Sequence, residues 1–247
     1  MADENAADNG RVATGIDGLD SVLDGGIPLG NQVVVAGGPG AGKTLLCLEI
    51  MYNNAKKGIN SAYITLEEQE SVVINNFKRA FPAFSDIDGL ISSGALVIGG
   101  EDVATRIQIG SDSETYSFGN VISGIENIIR ANNAKCVVID SLSLIKLMFG
   151  SQSLYRKYML ALSLNLRKLG VNSFLTMELP YTNTSDMVFS PEFFIFDGTI
   201  VMYQNVEENK RVFSIEVVKM RGSKHSLSLA PYEITNKGFK VFSINEI

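Results

Sequence analysis

The 247-residue sequence has no tryptophan, one histidine, two cysteines and only 6 prolines. His225 stands alone, which gives no basis for a histidine-built metal cluster or a Ser-His-Asp constellation. Cys47 follows a glycine-rich segment on an apolar helix face and Cys136 opens a hydrophobic strand. Both read as small buried hydrophobes rather than a disulfide or metal pair. No stretch approaches the ~18 consecutive apolar residues that a membrane-spanning helix needs. A basic excess is missing as well: 21 Lys+Arg against 27 Asp+Glu leaves a net charge of −6, so no global field draws in a polyanion. The opening MADENAADNG carries three acids and no apolar run. It reads as a flexible tail over residues 1–12 and not as a secretory or transit signal, so a soluble, cytoplasmic protein is expected.

What is present is an ordinary globular composition, 45% hydrophobic and 19% charged, in a length one α/β core can hold. A single domain over 13–247 is the expectation. Ile16, Leu19, Val22 and Leu23 recur at helical spacing and stop at Gly25-Gly26. Strands are expected at Gln32–Ala36, Ala62–Thr65, Ala95–Ile98, Cys136–Asp140 and Val171–Met177. The helices between them cover Leu45–Asn54, Val72–Ala80, Val121–Arg130 and Leu154–Leu169. This alternation predicts an α/β fold with a mainly parallel sheet flanked by helices. From Gly99 to about Phe118 the chain turns polar without clear periodicity and reads as a long surface excursion. Beyond Glu192 the strand-like runs Phe193–Tyr203, Arg211–Lys219 and Phe239–Ile244 imply an antiparallel extension of the same sheet.

The strongest motif is Gly37-Gly38-Pro39-Gly40-Ala41-Gly42-Lys43-Thr44, which meets G-x-x-x-x-G-K-[ST] at every fixed position between a strand and a helix. Small residues let the backbone amides of Gly38, Pro39's neighbour Gly40, Ala41 and Gly42 curl around phosphates. Lys43 reaches the β/γ-phosphates and the Thr44 hydroxyl binds Mg²⁺. ATP and Mg²⁺ are therefore the expected ligands. An acid at the end of a neighbouring buried strand should support the metal, and Asp140, closing Val137-Val138-Ile139, is the candidate. Hydrolysis needs a group to polarise water beside the γ-phosphate, and Glu67-Glu68 follow the strand ending at Thr65. Glu67 is assigned that role with Glu68 as partner or substitute, although two acids also suit the first turn of a helix.

Taken in order, Thr14–Asp20, Gly25-Gly26-Ile27-Pro28, the phosphate loop, Thr65-Leu66-Glu67-Glu68, Ile139-Asp140-Ser141 and Lys219–His225 resemble the KaiC-like ATPases of the RecA/RadA superfamily. The resemblance spans about residues 14–243 and is to the single-domain form. It implies a RecA-like P-loop NTPase core whose protomers form hexameric rings with ATP between neighbours. Glu67 and Glu68 would hold the catalytic position. Lys219 and Arg221 would touch the γ-phosphate of a neighbour's ATP, with Met220, Ser223 and His225 on its nucleoside side. Slow ATP hydrolysis that switches contacts with an unidentified protein partner is the expected function. Phe193-Phe194 stand where the self-phosphorylating clock domain has Ser-Thr, so autokinase activity is not expected. The resemblance is to a form without the second domain and the extended tail used for clock partners, so a clock role is not expected. Glu178 falls at a strand end where RecA-like enzymes keep a polar sensor. The alternative reading is a RadA-paralogue-like nucleic-acid-binding or repair module. The 99–118 segment disfavours it, offering only Arg106 with Tyr116 and Phe118 against Glu101, Asp102, Asp112 and Glu114.

Overall fold

The computed structural model describes residues 10–109, 114–180 and 183–242. Residues 1–9 of the expected tail, Asp112 and the end of the last expected strand at Ser243-Ile244 lie outside that range. In chain order the elements are β1 (Arg11–Val12), α1 (Leu19–Val22), β2 (Ile27–Pro28), β3 (Gln32–Gly37), α2 (Lys43–Lys56), β4 (Ser61–Thr65), α3 (Glu70–Ala80), α4 (Ile87–Ser92) and β5 (Leu96–Gly99). There follow α5 (Glu101–Ile109), α6 (Glu114–Ala131), β6 (Cys136–Asp140), α7 (Leu142–Lys146), α8 (Gln152–Leu169), β7 (Asn172–Glu178) and α9 (Pro191–Ile195). The chain continues through β8 (Gly198–Glu207), β9 (Lys210–Met220), β10 (Ala230–Thr235) and β11 (Gly238–Val241).

Nine strands form one sheet in the order β11-β10-β9-β8-β3-β7-β6-β4-β5. β5, β4, β6, β7, β3 and β8 run parallel, whereas β9, β10 and β11 are added antiparallel. Side chains alternate across a strand, so consecutive residues feed opposite layers. Val33 and Val35 join Leu46, Ile50, Val73 and Phe77 on one face, while Val34 and Ala36 join Val121, Ile125, Leu162 and Leu166 on the other. Because both faces are covered, the central strands are continuous apolar runs. Cys47 and Cys136 are free and buried, as expected.

Four expectations need correction. The polar excursion expected over 99–118 is instead α5 and the start of α6. The helical signal was carried by sparse apolar residues: Val103 and Phe118 are buried and continue the stripe Val121, Ile125, Ile129. Gly100 within it marks close packing, since a Cβ there would stand 2.4 Å from Thr65 O. The strand expected from Phe193 begins only at Gly198, because Pro191 opens the short helix α9. That strand, β8, also runs parallel to β3, so the antiparallel extension starts one strand later, at β9. Arg11-Val12, expected in the tail, pair with Ile27-Pro28.

The β10–β11 hairpin locks onto α2. Phe239 N donates to Glu49 Oε2 at 2.9 Å, and Glu49 is 3% exposed. Burial pushes the Glu49 carboxyl up to about 7, opposed by that backbone hydrogen bond. A carboxyl raised in the folded state stabilises it when protonated, and that contribution is lost as pH rises from the unfolded value through about 7. Unfolding free energy should therefore fall by about 2–3 kcal/mol between pH 5 and 8. Glu49→Gln, whose amide oxygen can still accept from Phe239, should flatten that slope. Denaturant titrations across this pH range check it, and an unchanged slope in Glu49→Gln would contradict the assignment.

Candidate nucleotide site

β3 delivers the phosphate loop at the carboxyl end of the parallel strands. Gly37 lies so close to β8 that a Cβ there would meet Met202 O at 2.6 Å. Gly40 and Gly42 adopt φ of +78° and +90°, values L side chains rarely take. α2 then begins at Lys43 with no side-chain cap and no acid in its first turn, which leaves its amino-terminal amides available to an anion. Lys43 Nζ folds back to donate to Gly37 O and Gly38 O, both at 3.0 Å. Burial lowers the Lys43 pKa, while the charges of Glu178, Asp140 and Glu67 oppose that shift. β8 and the β10–β11 hairpin hold the loop from outside. Gln204 Nε2 donates to Pro39 O at 2.7 Å, Tyr232 OH donates to Ala41 O at 2.6 Å, and Ile234 and Phe239 pack against Gly42.

Asp140 ends β6 beside Thr65 of β4 and gathers hydroxyls from three other elements. Its Oδ2 accepts from Thr44 Oγ1 at 2.8 Å and from Tyr63 OH, and its Oδ1 accepts from Thr176 Oγ1 at 2.5 Å. Tyr63 and Thr176 were not singled out in the sequence. No local pattern distinguishes them from the other hydroxyls of the same strands, such as Ser61, Thr65 and Ser173.

Glu67 and Glu68 diverge. Both are exposed, but Glu67 Oε1 accepts from Ser141 Oγ, next to Asp140. Glu68 turns towards α3, where Asn76 Nδ2 donates weakly to its Oε2 at 3.5 Å. Its backbone is fixed by Thr65 Oγ1, which donates to Glu68 O at 2.7 Å. Both glutamates line a cavity of about 210 Å³ shared with Glu101, Ala104 and Thr105. Glu178 pairs in register with Gly37, so its charge sits at the mouth of the loop.

The Lys219–His225 segment is elsewhere. Met220 pairs with Gly198, and Gly198 pairs with Val33 at the amino end of β3. The phosphate loop leaves the opposite end. Lys219 Nζ donates to Phe193 O and Phe196 O, both at 2.5 Å. Burial, then the charge of Arg221, lowers its pKa to about 8 against the attraction of Asp197. Arg221 donates to Phe194 O at 2.9 Å and lies 3.6 Å from Asp197. Met220 is 4% exposed and packs on Gly198, which leaves its side chain no open face for a nucleoside. Ser223 Oγ accepts from Arg11 at 2.8 Å, and His225 Nδ1 lies 2.9 Å from Ser226 O.

A family profile described as "ATPase: KaiC" matches residues 12–246. The chain belongs to the KaiC ATPase family. It is 30% identical over 241 residues to circadian clock oscillator protein KaiC 1 of Synechocystis sp., covering 95% of this chain and 44% of that protein. It is 29% identical over 240 residues to circadian clock protein KaiC3 of the same organism, covering 96% and 46%. The chain thus spans about half the length of these curated relatives. The crystal structure of KaiC-like protein PH0186 from Pyrococcus horikoshii OT3 superposes with a TM-score of 0.78 at 29% identity, covering 94% of this chain and 99% of that one. The fold is accordingly RecA-like. Within this KaiC-family domain the loop suits a triphosphate, because the glycines leave room where a side chain would intrude and the α2 amides are uncapped. The Thr44 hydroxyl and Asp140 carboxylate, 2.8 Å apart, form a hard-oxygen pair of the kind Mg²⁺ prefers. Among the described residues no group of three or more His, Cys, Asp or Glu could hold a metal, and no helix is long and apolar enough to cross a membrane.

Tyr63→Phe keeps the buried ring but removes one of the donors to Asp140. The expected cost is about 1–2 kcal/mol of unfolding free energy, seen as a lower denaturant midpoint at unchanged slope. A loss below about 0.5 kcal/mol would mean that the phenol does little to hold Asp140.

Proposed function

We propose that this chain binds Mg·ATP on the Gly37–Thr44 loop and hydrolyses it slowly, with the nucleotide enclosed between subunits of a homohexameric ring. In this reading the nucleotide state switches contacts with a protein partner in the cytoplasm. Magnesium, held by Thr44 and Asp140, would supply charge neutralisation at the phosphates. Lys43 exchanges the Gly37 and Gly38 carbonyls for phosphate oxygens. Glu67, steadied by Ser141, accepts the proton of a water that attacks the γ-phosphorus as the bond to the bridging oxygen breaks. Glu68 is the substitute base. No autokinase activity is proposed, since α9 carries Phe193-Phe194 at the positions in question.

The observation that carries the ring is the polarity of the sheet. Val33 and Gly37 bound one strand, Met220 pairs beside the Val33 end, and the phosphate loop leaves the Gly37 end. Four residues of strand separate the two ends by about 13 Å, which supports Lys219 and Arg221 serving a neighbour's nucleotide rather than their own. Nucleic acid is disfavoured, because α5 opens with exposed Glu101 and Asp102.

Lys43→Ala is expected to abolish nucleotide binding in calorimetry. Glu67→Gln should bind ATP normally and lose hydrolysis, because the neutral amide cannot take up the proton. If Glu68→Gln proves the more damaging change, the two glutamates exchange roles.

Arg221→Ala should bind ATP nearly normally and hydrolyse it about 10³-fold more slowly, since an arginine supplied in trans meets charge developing on the transferred phosphoryl group. Mixing it with inactive Glu67→Gln protein should restore activity, because some interfaces then pair an intact Glu67 with an intact Arg221. A mixture that stays as inactive as its parents, although subunits demonstrably exchange, would remove Arg221 from the catalytic interface.

A further inference from the structure

A cavity of about 440 Å³ opens along β5, between that strand, α5 and α6. β5 ends the nine-stranded sheet. In a parallel pair the residues of a strand point their backbone groups alternately towards and away from the neighbour. Ala95 O accepts from Ser61 N at 2.9 Å. Ala95, Val97 and Gly99 therefore face β4, whereas Leu96 and Ile98 turn their N–H and C=O groups outward. Among the described residues no other backbone group bonds to those four outward groups. The opposite edge is covered instead by the amino-terminal segment, where Val241 N of β11 donates to Asp17 O at 2.9 Å and Gly18 lies against Val241 O. Native sheets rarely leave an edge open without guarding it or using it.

Val97 and Ile128 form a half-buried apolar wall of this cavity. Glu70, Glu101 and Asp102 stand at the end of it where β5 stops. Burial, then the charges of Glu101 and Asp102, raises the Glu70 carboxyl. Among the described residues no Lys or Arg lies within 4.0 Å of any of the three, and they do not form a group that could hold a metal ion. We propose that the β5 edge binds an extended, basic segment of a partner protein as a further strand, with a β-branched side chain against Val97 and Ile128 and a Lys or Arg two residues away among the three carboxylates. Side chains two apart share one face of a strand and lie about 6.6 Å from each other, the rise from the level of Val97 to that of Gly99, where the acids begin. Main-chain bonds to Leu96 and Ile98 would supply the pairing and the side chains the selectivity.

Charge chooses the occupant. Backbone pairing alone would accept any extended chain, another copy's β5 included. A second copy brings the same acids and a net charge of −6, so self-pairing is opposed while a basic strand is drawn in. The groove also adjoins the candidate base. Glu101, whose Oε1 accepts from Glu70 N at 3.2 Å, lines the cavity of Glu67 and Glu68 as well.

Calorimetric titration of the full chain without nucleotide tests this apart from any ATP hydrolysis. The probe is the end-capped peptide Lys-Thr-Val-Thr-Val-Thr-Lys, which presents lysine and valine on one face whichever way it runs. It should bind saturably, and at least about tenfold more tightly than the same peptide with glutamate at both ends. Glu101→Gln combined with Asp102→Asn should weaken it by about tenfold or more. Both side chains are exposed, so the fold should survive the change. Hydrogen exchange reads the added strand itself. The peptide should protect the outward amides of Leu96 and Ile98 and leave those of Val97 and Gly99, already turned to β4, as they were. Equal binding of the two peptides, undiminished affinity in the double variant, binding without protection at Leu96 and Ile98, or no saturable binding would overturn the proposal.

Discussion

Four elements meet at one carboxylate. Asp140 receives hydroxyls from Thr44 on α2, Tyr63 on β4 and Thr176 on β7, so the helix that follows the phosphate loop is tied to three neighbouring strands at a single point. The tie extends outward through the backbone. Leu66 N donates to Asp140 O at 2.6 Å, and Ser141 Oγ donates to Glu67. The loop bearing the candidate base is thereby fixed to the strand bearing the candidate metal ligand. Hydroxyl donors can rotate away when a cation competes for the carboxylate's oxygens.

β8 and the antiparallel hairpin beyond it serve the same site from the other side. Gln204 of β8 and Tyr232 of β10 bind loop carbonyls at Pro39 and Ala41, and the β10–β11 hairpin closes on Glu49 of α2. The loop is thus shaped by backbone acceptors already engaged from behind, which leaves its amides for the ligand. The Lys219–Arg221 pair leaves the same extension at the far end of the sheet, fastened to the carbonyls of α9. One hairpin arm therefore supports a subunit's own loop, and the end of another reaches away from it.

Much of the fold was legible because buried parallel strands are conspicuous: Cys136–Asp140 was read at its observed bounds, and Gln32–Ala36 missed only Gly37. The phosphate loop was legible because its chemistry demands particular residues in sequence. Failures came where the physical reason lay between distant residues. α5 and the start of α6 were masked by polar residues between the sparse apolar positions Val103 and Phe118, which are buried only once the helices pack. β10 was missed because Pro231 interrupts a short strand that lies between β9 and β11. Tyr63, Thr176 and Ser141 have no local signal as site residues, since each acts through a carboxylate far away in sequence. Met220 sat within a readable motif, yet its burial against Gly198 depends on a strand pairing that the motif does not encode.

The most direct test of the account is whether Asp140 supplies the metal-dependent part of nucleotide affinity. ATP titrated calorimetrically into the wild-type chain should bind at least about tenfold more tightly with Mg²⁺ than in chelator, the scale expected of one charged metal ligand. Asp140→Asn should bind metal-free ATP as the wild type does and lose the magnesium increment. If Asp140→Asn keeps the full increment, the metal is held elsewhere, and the convergence of hydroxyls on Asp140 is a device of folding rather than of nucleotide binding.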